Sequence, residues 1–259
     1  GARVRRLHCA PSNEAGALGD GSTLMRTTPV AVSDGNAILT GVAQVSAGAL
    51  HSCARLTDGT AACWGFNNNG QLGIGNRDER LTATPVAGLN GIAEISAGNF
   101  HSCARLDDGS VYCWGSNSLG QLGIGSNGSF SDIPVAVIGI DDAIALTARG
   151  DHACAIRANG DAYCWGDNSE RQLGNGSSPS SNTPLRVLHV GGITSIAAGY
   201  LNTCAIHGTD AAVRCWGENN QNQSGPGSGM NLELSSPATE IQLGYSHACA
   251  RTTDGTVYC

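Results

Sequence analysis

The sequence is short of charge. Asp, Glu, Lys and Arg together make up 14% of its 259 residues, against about a quarter in ordinary globular chains. The formal balance is −7 at neutral pH. Neutralising a phosphate backbone requires a surplus of cations, which excludes nucleic acid as the driving partner. No apolar run approaches the roughly twenty residues of a membrane span. Gly1 leads into Arg3, Arg5 and Arg6 without the apolar stretch of a signal peptide; a mature secreted chain reads the same way, so secretion stays open. No segment of ten or more residues carries the 3.6-residue apolar period of a helix. Sequence signs of common catalytic sites are missing too. The glycine-rich stretches lack the Lys-Ser/Thr ending of a phosphate loop, and no dinucleotide fingerprint or Ser/His/Asp motif stands out. No cofactor is implied.

What the chain has instead is glycine (37 residues) and cysteine (11), and the cysteines mark a repeat. Cys53, Cys103, Cys154, Cys204 and Cys249 are each followed by a second cysteine, at 63, 113, 164, 215 and 259. The closing cysteines lie 50, 51, 51 and 44 residues apart. His-x-Cys-Ala recurs at 51–54, 101–104, 152–155 and 247–250, and Cys-Trp-Gly at 63–65, 113–115, 164–166 and 215–217. Repeats of about fifty residues therefore run over 10–63, 64–113, 114–164, 165–215 and 216–259, with 1–9 a partial preceding copy. Each copy reads as four short strands. The first is the apolar run 42–47, 92–97, 144–148 or 193–198, and the second starts at the His-x-Cys triplet. A turn of Asp58-Gly59, Asp108-Gly109, Asn159-Gly160 or Asp254-Gly255 follows. The third strand ends in Cys-Trp-Gly, and the fourth is expected to begin at Pro29, Pro85, Pro134 or Pro184, where proline fits a strand start or outer edge. Four-stranded units at this period predict an all-β fold, a β-propeller of 1–259 as one domain.

The loop after the third strand is the most specific motif. Gly65-x-Asn67-x-x-Gly70-Gln71-Leu72-Gly73-x-Gly75 and its copy from Gly115 to Gly125 resemble the signature of the regulator of chromosome condensation repeat. The third copy keeps Gly166, Asn168, Gln172, Leu173 and Gly174 but carries Arg171 at a glycine position. The fourth keeps Gly217, Asn219 and Gly225, with Ser224 for leucine. The first keeps Cys9, Asn13, Gly16, Leu18, Gly19 and Gly21, with Pro11 for glycine and Ala17 for glutamine. The resemblance implies a propeller whose glycine-rich loops join third and fourth strands. The family's namesake is a nucleotide-exchange factor for a small GTPase that docks on chromatin through a projecting wedge and a basic tail. This chain has no insertion of wedge size and no basic tail, so exchange activity is a remote reading. Secreted bacterial members use the same repeat purely as a binding surface, an analogy of fold. Family rings usually have seven blades, so these five repeats are expected to be part of a larger ring; closure of a five-bladed ring is the alternative.

The cysteines admit structural disulfides, a zinc site, or reduced packing in a core. Five equivalent copies argue against a catalytic thiol, and no Cys-x-x-Cys pair points to metal. Register favours disulfides. If Asp58-Gly59 alone formed the turn, Cys53 and Cys63 would face opposite sides of the sheet. A three-residue loop, Thr57-Asp58-Gly59, sets Leu56 opposite Thr60 and Cys53 opposite Cys63, within bridging distance. The fourth copy needs a four-residue loop, 208–211. The expected pairs are Cys53–Cys63, Cys103–Cys113, Cys154–Cys164, Cys204–Cys215 and Cys249–Cys259, with Cys9 unpaired. Such density predicts a secreted or otherwise extracytoplasmic protein.

Other repeated side chains have plain readings. His51, His101, His152 and His247, with Asn202 in the fourth copy, read as hydrogen-bonding residues rather than metal ligands. Trp64, Trp114, Trp165 and Trp216 read as packing between blades rather than sugar platforms. Asp58, Asp108 and Asp254 sit in hairpin turns, and nothing pairs two carboxylates as a glycoside hydrolase requires. Asn127, Asn175 and Asn222 lie in glycosylation sequons. The copies differ most after Leu-Gly-x-Gly, which places partner-binding candidates at Asn76, Arg77, Asp78, Arg80, Asn127, Phe130, Ser178, Ser180, Met230 and Glu233. The reading is a non-enzymatic propeller that binds protein or forms a module of an extracellular assembly. A lectin-like glycan-binding module is the alternative, and a hydrolase the least favoured.

Overall fold

Strand-forming runs separated by tight glycine turns fold into a series of antiparallel sheets in the computed structural model, which describes residues 8–9, 13–220, 231–245 and 247–259. Strands β1 (His8–Cys9) and β2 (Val30–Ala31) pair as a two-stranded sheet. Strands β3 (Val42–Ala47), β4 (His51–Leu56), β5 (Ala61–Gly65) and β6 (Arg80–Pro85) form the next, in that order. The pattern recurs in β7 (Ile92–Ala97), β8 (His101–Leu106), β9 (Val111–Ser116) and β10 (Phe130–Ala136). It recurs again in β11 (Ala143–Arg149), β12 (His152–Arg157), β13 (Ala162–Gly166) and β14 (Ser181–Arg186). The fourth copy is β15 (Ile193–Ala198), β16 (Asn202–His207), β17 (Ala212–Gly217) and β18 (Asn231–Leu232). A three-stranded sheet of β19 (Ala238–Leu243), β20 (Ala248–Thr252) and β21 (Val257–Tyr258) ends the series. These up-and-down sheets are propeller blades. The chain divides into two compact units. One is built on the chain up to Ser118 with Gly128–Ala136; the other on Leu119–Asn127 with Val137–Cys259.

The hairpin register follows from its turn. Leu56 donates its backbone N–H to Thr60, and Cys53 lies opposite Cys63. Gly59 takes φ 80°, a left-handed conformation that costs residues with a Cβ. The fourth hairpin keeps Cys204 opposite Cys215 by looping over residues 208–211, between His207 and Ala212. The fourth strand of the first copy, β2, follows Pro29 as expected, but the next three differ. They start earlier, at Arg80, Phe130 and Ser181, and their prolines fall within or at the end of the strand. A register shift in each outer pair, such as that between Cys63 and Gly65, lets the chain rejoin the sheet at once after the loop. The proline then lies on the outermost strand, where its missing N–H leaves no ladder bond unmade.

Within each unit the core lies where successive blades face one another. In the first, Trp114 packs with Leu72, Ile92, Ile95 and the buried Cys53 and Cys63 of the preceding blade. In the second, Trp216 packs with Leu173, Ile193, Ile196, Cys154 and Cys164. The indole N–H groups of Trp64, Trp114, Trp165 and Trp216 donate to the carbonyls of Ala17, Gln71, Gln121 and Gln172 in the preceding glycine-rich loops. A Cβ at Gly73 would stand 2.7 Å from the Trp114 indole, which is why that motif position is glycine.

Candidate functional site

The loops that vary between repeats are mounted on a frame that does not vary. Asn67 is fully buried at the head of its loop. Its Nδ2 donates to the carbonyls of Asn76 and Asp78, both at 2.9 Å, and its Oδ1 accepts the Leu72 N–H at 2.9 Å. Asn168 does the same with Ser177, Pro179 and Leu173, and Asn13 with Ser22, Leu24 and Leu18. Glutamine adds a second clamp, the Gln71 and Gln172 Oε1 atoms accepting the N–H groups of Asn69 and Glu170. Apart from Asn168 Nδ2, which also meets Asn175 Oδ1 at 3.2 Å, these contacts reach the loop through its backbone. Its side chains are free to differ, and they do.

On the first unit the loop candidates Asn76, Arg77, Asp78 and Arg80 come together with Phe130. The Arg77 guanidinium sits 4.6 Å over the half-exposed Phe130 ring, an attractive cation–π geometry. Arg80 contacts Asn76 Oδ1 and Asp78. On the second unit Asn127, Ser178 and Glu233 are exposed, while Ser180 Oγ donates to Asp167. Of the sequon asparagines, Asn175 spends its amide on Ser177 Oγ at 2.7 Å and Asn127 is exposed. Asn222 and Met230 lie outside the described residues, and the pairing of Cys9 concerns a side chain outside them.

Of the other repeated residues, the first four cysteine pairs and His51, His101 and His152 are buried, whereas His247, Cys259 and the turn carboxylates Asp58, Asp108 and Asp254 are exposed. The structure joins Cys53–Cys63, Cys103–Cys113, Cys154–Cys164, Cys204–Cys215 and Cys249–Cys259, each within one sheet, at Cα separations of 4.0 to 4.1 Å. His51 Nε2 lies 2.9 Å from Ser102 Oγ, whose proton goes to the Gln71 carbonyl. The imidazole must therefore donate from Nε2. His152 stands in the same relation to Thr203 and Gln172. Burial pushes both imidazoles down to about 4, so they are neutral links between blades at physiological pH. Among the described residues no group of three or more His, Cys, Asp or Glu is arranged to hold a metal ion. The Thr60 and Ser110 hydroxyls hold the Asp58 and Asp108 carboxyls low, the Thr252 hydroxyl does so for Asp254, and Arg186 for Asp161. Each is displaced away from the raised range a general acid needs.

Two surface features escaped sequence reasoning. Tyr200 and Tyr245, in the loops joining first and second strands, stack with centroids 4.2 Å apart, and Tyr245 is 64% exposed. A cleft of about 450 Å³ opens on the second unit beside Arg171, Leu188, Arg214 and Trp216. Its one sequence signal is the arginine that replaces a motif glycine at 171.

The repeat described as Regulator of chromosome condensation (RCC1) repeat matches residues 42–71, 92–121, 144–172, 193–223 and 238–259, and a second form of it matches 58–105, 108–156 and 159–206. The ultraviolet-B receptor UVR8 of Arabidopsis thaliana is 31% identical over 228 residues, 83% of this chain and 52% of that protein. The chain thus spans about half the length of that relative. Among solved structures, human WBSCR16 matches with a TM-score of 0.79 at 18% identity, over 93% of this chain and 66% of that one. Prp20p of Saccharomyces cerevisiae, a protein with binding properties toward Gsp1p and histones, matches at 0.72 and 17% identity, over 87% and 61%. These structural likenesses concern the fold.

Proposed function

From a chain that belongs to the regulator of chromosome condensation (RCC1) repeat family, we infer a non-enzymatic scaffold that binds a protein partner through its variable loops and works outside the reducing cytosol. The anchoring of loop backbone by Asn13, Asn67 and Asn168 carries this reading. A frame that holds loop ends without specifying loop side chains is suited to presenting them. Arg77 over Phe130 presents two residue types, arginine and an aromatic ring, that are enriched at protein interfaces. A disulfide in each of five sheets, four of them fully buried, supports an oxidising compartment. The net charge of −7 and the lack of a wedge-sized insertion speak against nucleotide exchange and DNA docking. Affinity capture from the native source, comparing wild type with Arg77→Ala/Phe130→Ala, tests the scaffold. A specific protein retained by wild type and lost by the variant is expected. A partner held equally by both removes these loops from the interface, and accelerated nucleotide release from a small GTPase by the purified chain overturns the non-exchange assignment.

A glycan-binding reading draws on the stacked Tyr200–Tyr245 pair, whose exposed ring face suits a sugar. Glycan-array binding abolished by Tyr245→Ala would favour it.

A further inference from the structure

We propose that the cleft beside Trp216 receives a carboxylate-bearing side chain from an acidic, partly apolar segment of the protein partner; this rests on the protein-binding reading above and names the chemistry it requires.

The repeat itself indicates why the cleft is there. At Gly70 a Cβ would stand 2.6 Å from the Asp132 Cα, and at Gly120 one would stand 2.5 Å from the Asn182 Cα. In those two copies the outer strand of the next blade closes against a bare glycine. Arg171 occupies the same place in the third copy at φ 65°, where it brings a Cβ and a guanidinium to a position that is bare in the other two, on a backbone conformation that favours glycine. His189, across the cleft, is a second non-glycine residue with positive φ, at 61°. Two such residues lining one cleft, out of three among the described residues, are a concentration of backbone strain that the repeat could have avoided. Such strain collects at sites of function.

One cation is held at the cleft by the backbone rather than by a carboxylate. Arg214 Nη1 donates to the His189 carbonyl at 2.7 Å, which fixes its guanidinium at the cleft wall while leaving its other N–H groups available. Among the described residues six arginines are ion-paired with carboxylates: Arg26, Arg80, Arg105, Arg157, Arg186 and Arg251. Arg171 and Arg214, like Arg55, Arg77 and Arg149, have no such partner among the described residues, and they are the two that line this cleft. All fourteen basic side chains are arginine, and lysine is absent from the sequence, so cationic recognition falls to the planar fork that matches a carboxylate with two parallel bonds.

Charge and polarity select the occupant. Glu170 also lines the cleft; two guanidiniums against one carboxylate leave one net positive charge. That balances a single carboxylate and falls short of a phosphate dianion or a sulfated sugar. Ser169, His189 and Asn219 add neutral polar groups, and Val187, Leu188, Val190 and Trp216 give the cleft an apolar wall, with Val187 and Val190 buried and Leu188 40% exposed. A segment alternating acidic and apolar side chains meets both surfaces.

The test uses the full chain and two fluorescein-labelled peptides, one alternating leucine and glutamate, the other alternating leucine and glutamine. Saturable anisotropy with the glutamate peptide is expected, at least about tenfold tighter than with the glutamine peptide, because charge-assisted bonds are lost in the latter. Arg171→Gly with Arg214→Gln should weaken the glutamate peptide by about tenfold or more. Arg171→Gly restores the repeat's own residue, so a melting temperature at or above wild type separates lost binding from lost folding. Equal affinity for both peptides, no saturable binding of the glutamate peptide, or an unaffected double variant overturns the proposal. Arginine-dependent binding of a heparin fragment in place of the glutamate peptide overturns it as well. A native partner that needs Arg77 and Phe130 but ignores Arg171 and Arg214 would leave the scaffold standing and remove the cleft from it.

Discussion

His51 and Asn67 do different work with the same economy of means. His51 is a neutral donor locked between two blades, its Nδ1 buried without a partner. Because its folded-state value lies near 4, below the ordinary 6.5, the unfolded chain binds more protons between those limits. Stability is then complete above pH 6.5 and is lost as pH falls toward about 4. His152 follows the same course. Each carries on the order of 3 kcal/mol across that window. Urea unfolding at pH 7 and pH 4.5 should show the loss, and His51→Asn with His152→Asn, using the residue the fourth repeat carries at 202, should flatten it. An unchanged slope in the double variant would assign the acid sensitivity elsewhere. Asn67 can be tested separately. Replacing it by alanine removes three hydrogen bonds to buried or partly buried backbone groups, and a cost of about 2–4 kcal/mol is expected. Asn76→Ala should cost far less, since Asn67 reaches that residue through its carbonyl.

At the scale of the hairpin, what sequence discloses is set by how local the cause is. The pairing of Cys53 with Cys63 depends on three turn residues and the two-residue alternation of a strand, all contiguous in the chain. The four-residue turn of the fourth copy follows from one extra residue by the same count. The fourth strands were less legible, because where Arg80 rejoins the sheet is decided by a register shift against Gly65, fifteen residues away. The cleft was hidden for a related reason. Arg171 is visible as a departure from the motif, but its consequence depends on a positive φ and on His189 and Arg214, brought near by folding alone. The hairpin bond has a measurable worth. In the chain-entropy account a closed loop of this length contributes about 3 kcal/mol. Cys103→Ala with Cys113→Ala should therefore lower the melting temperature by about 6–12 °C, whereas a change within a degree or two would make the bond incidental.

For the whole molecule the same bond is counted five times, and the multiple changes the conclusion. One closure lost is tolerable, but five at about 3 kcal/mol each reach about 15 kcal/mol, the upper end of the net stability of an ordinary domain. The sheets cannot make this up with larger cores, since aromatic residues are only 5% of the chain and glycine contributes no side chain to burial. A reduced chain should therefore have no stable folded state. Reductant added to the native protein is a poor test, because Cys53, Cys63 and their equivalents through Cys215 are fully buried and reduction must wait for opening. The decisive comparison is refolding from denaturant with and without a thiol reductant, followed by circular dichroism and a count of free thiols. Native strand signal should return only in the oxidised sample, with ten cysteines protected. A reduced sample that regains the same melting temperature would show that the blades stand by packing of Trp64, Trp114, Trp165 and Trp216 alone. It would also take away the physical support for an extracytoplasmic protein, since a fold indifferent to its disulfides is equally at home in a reducing compartment.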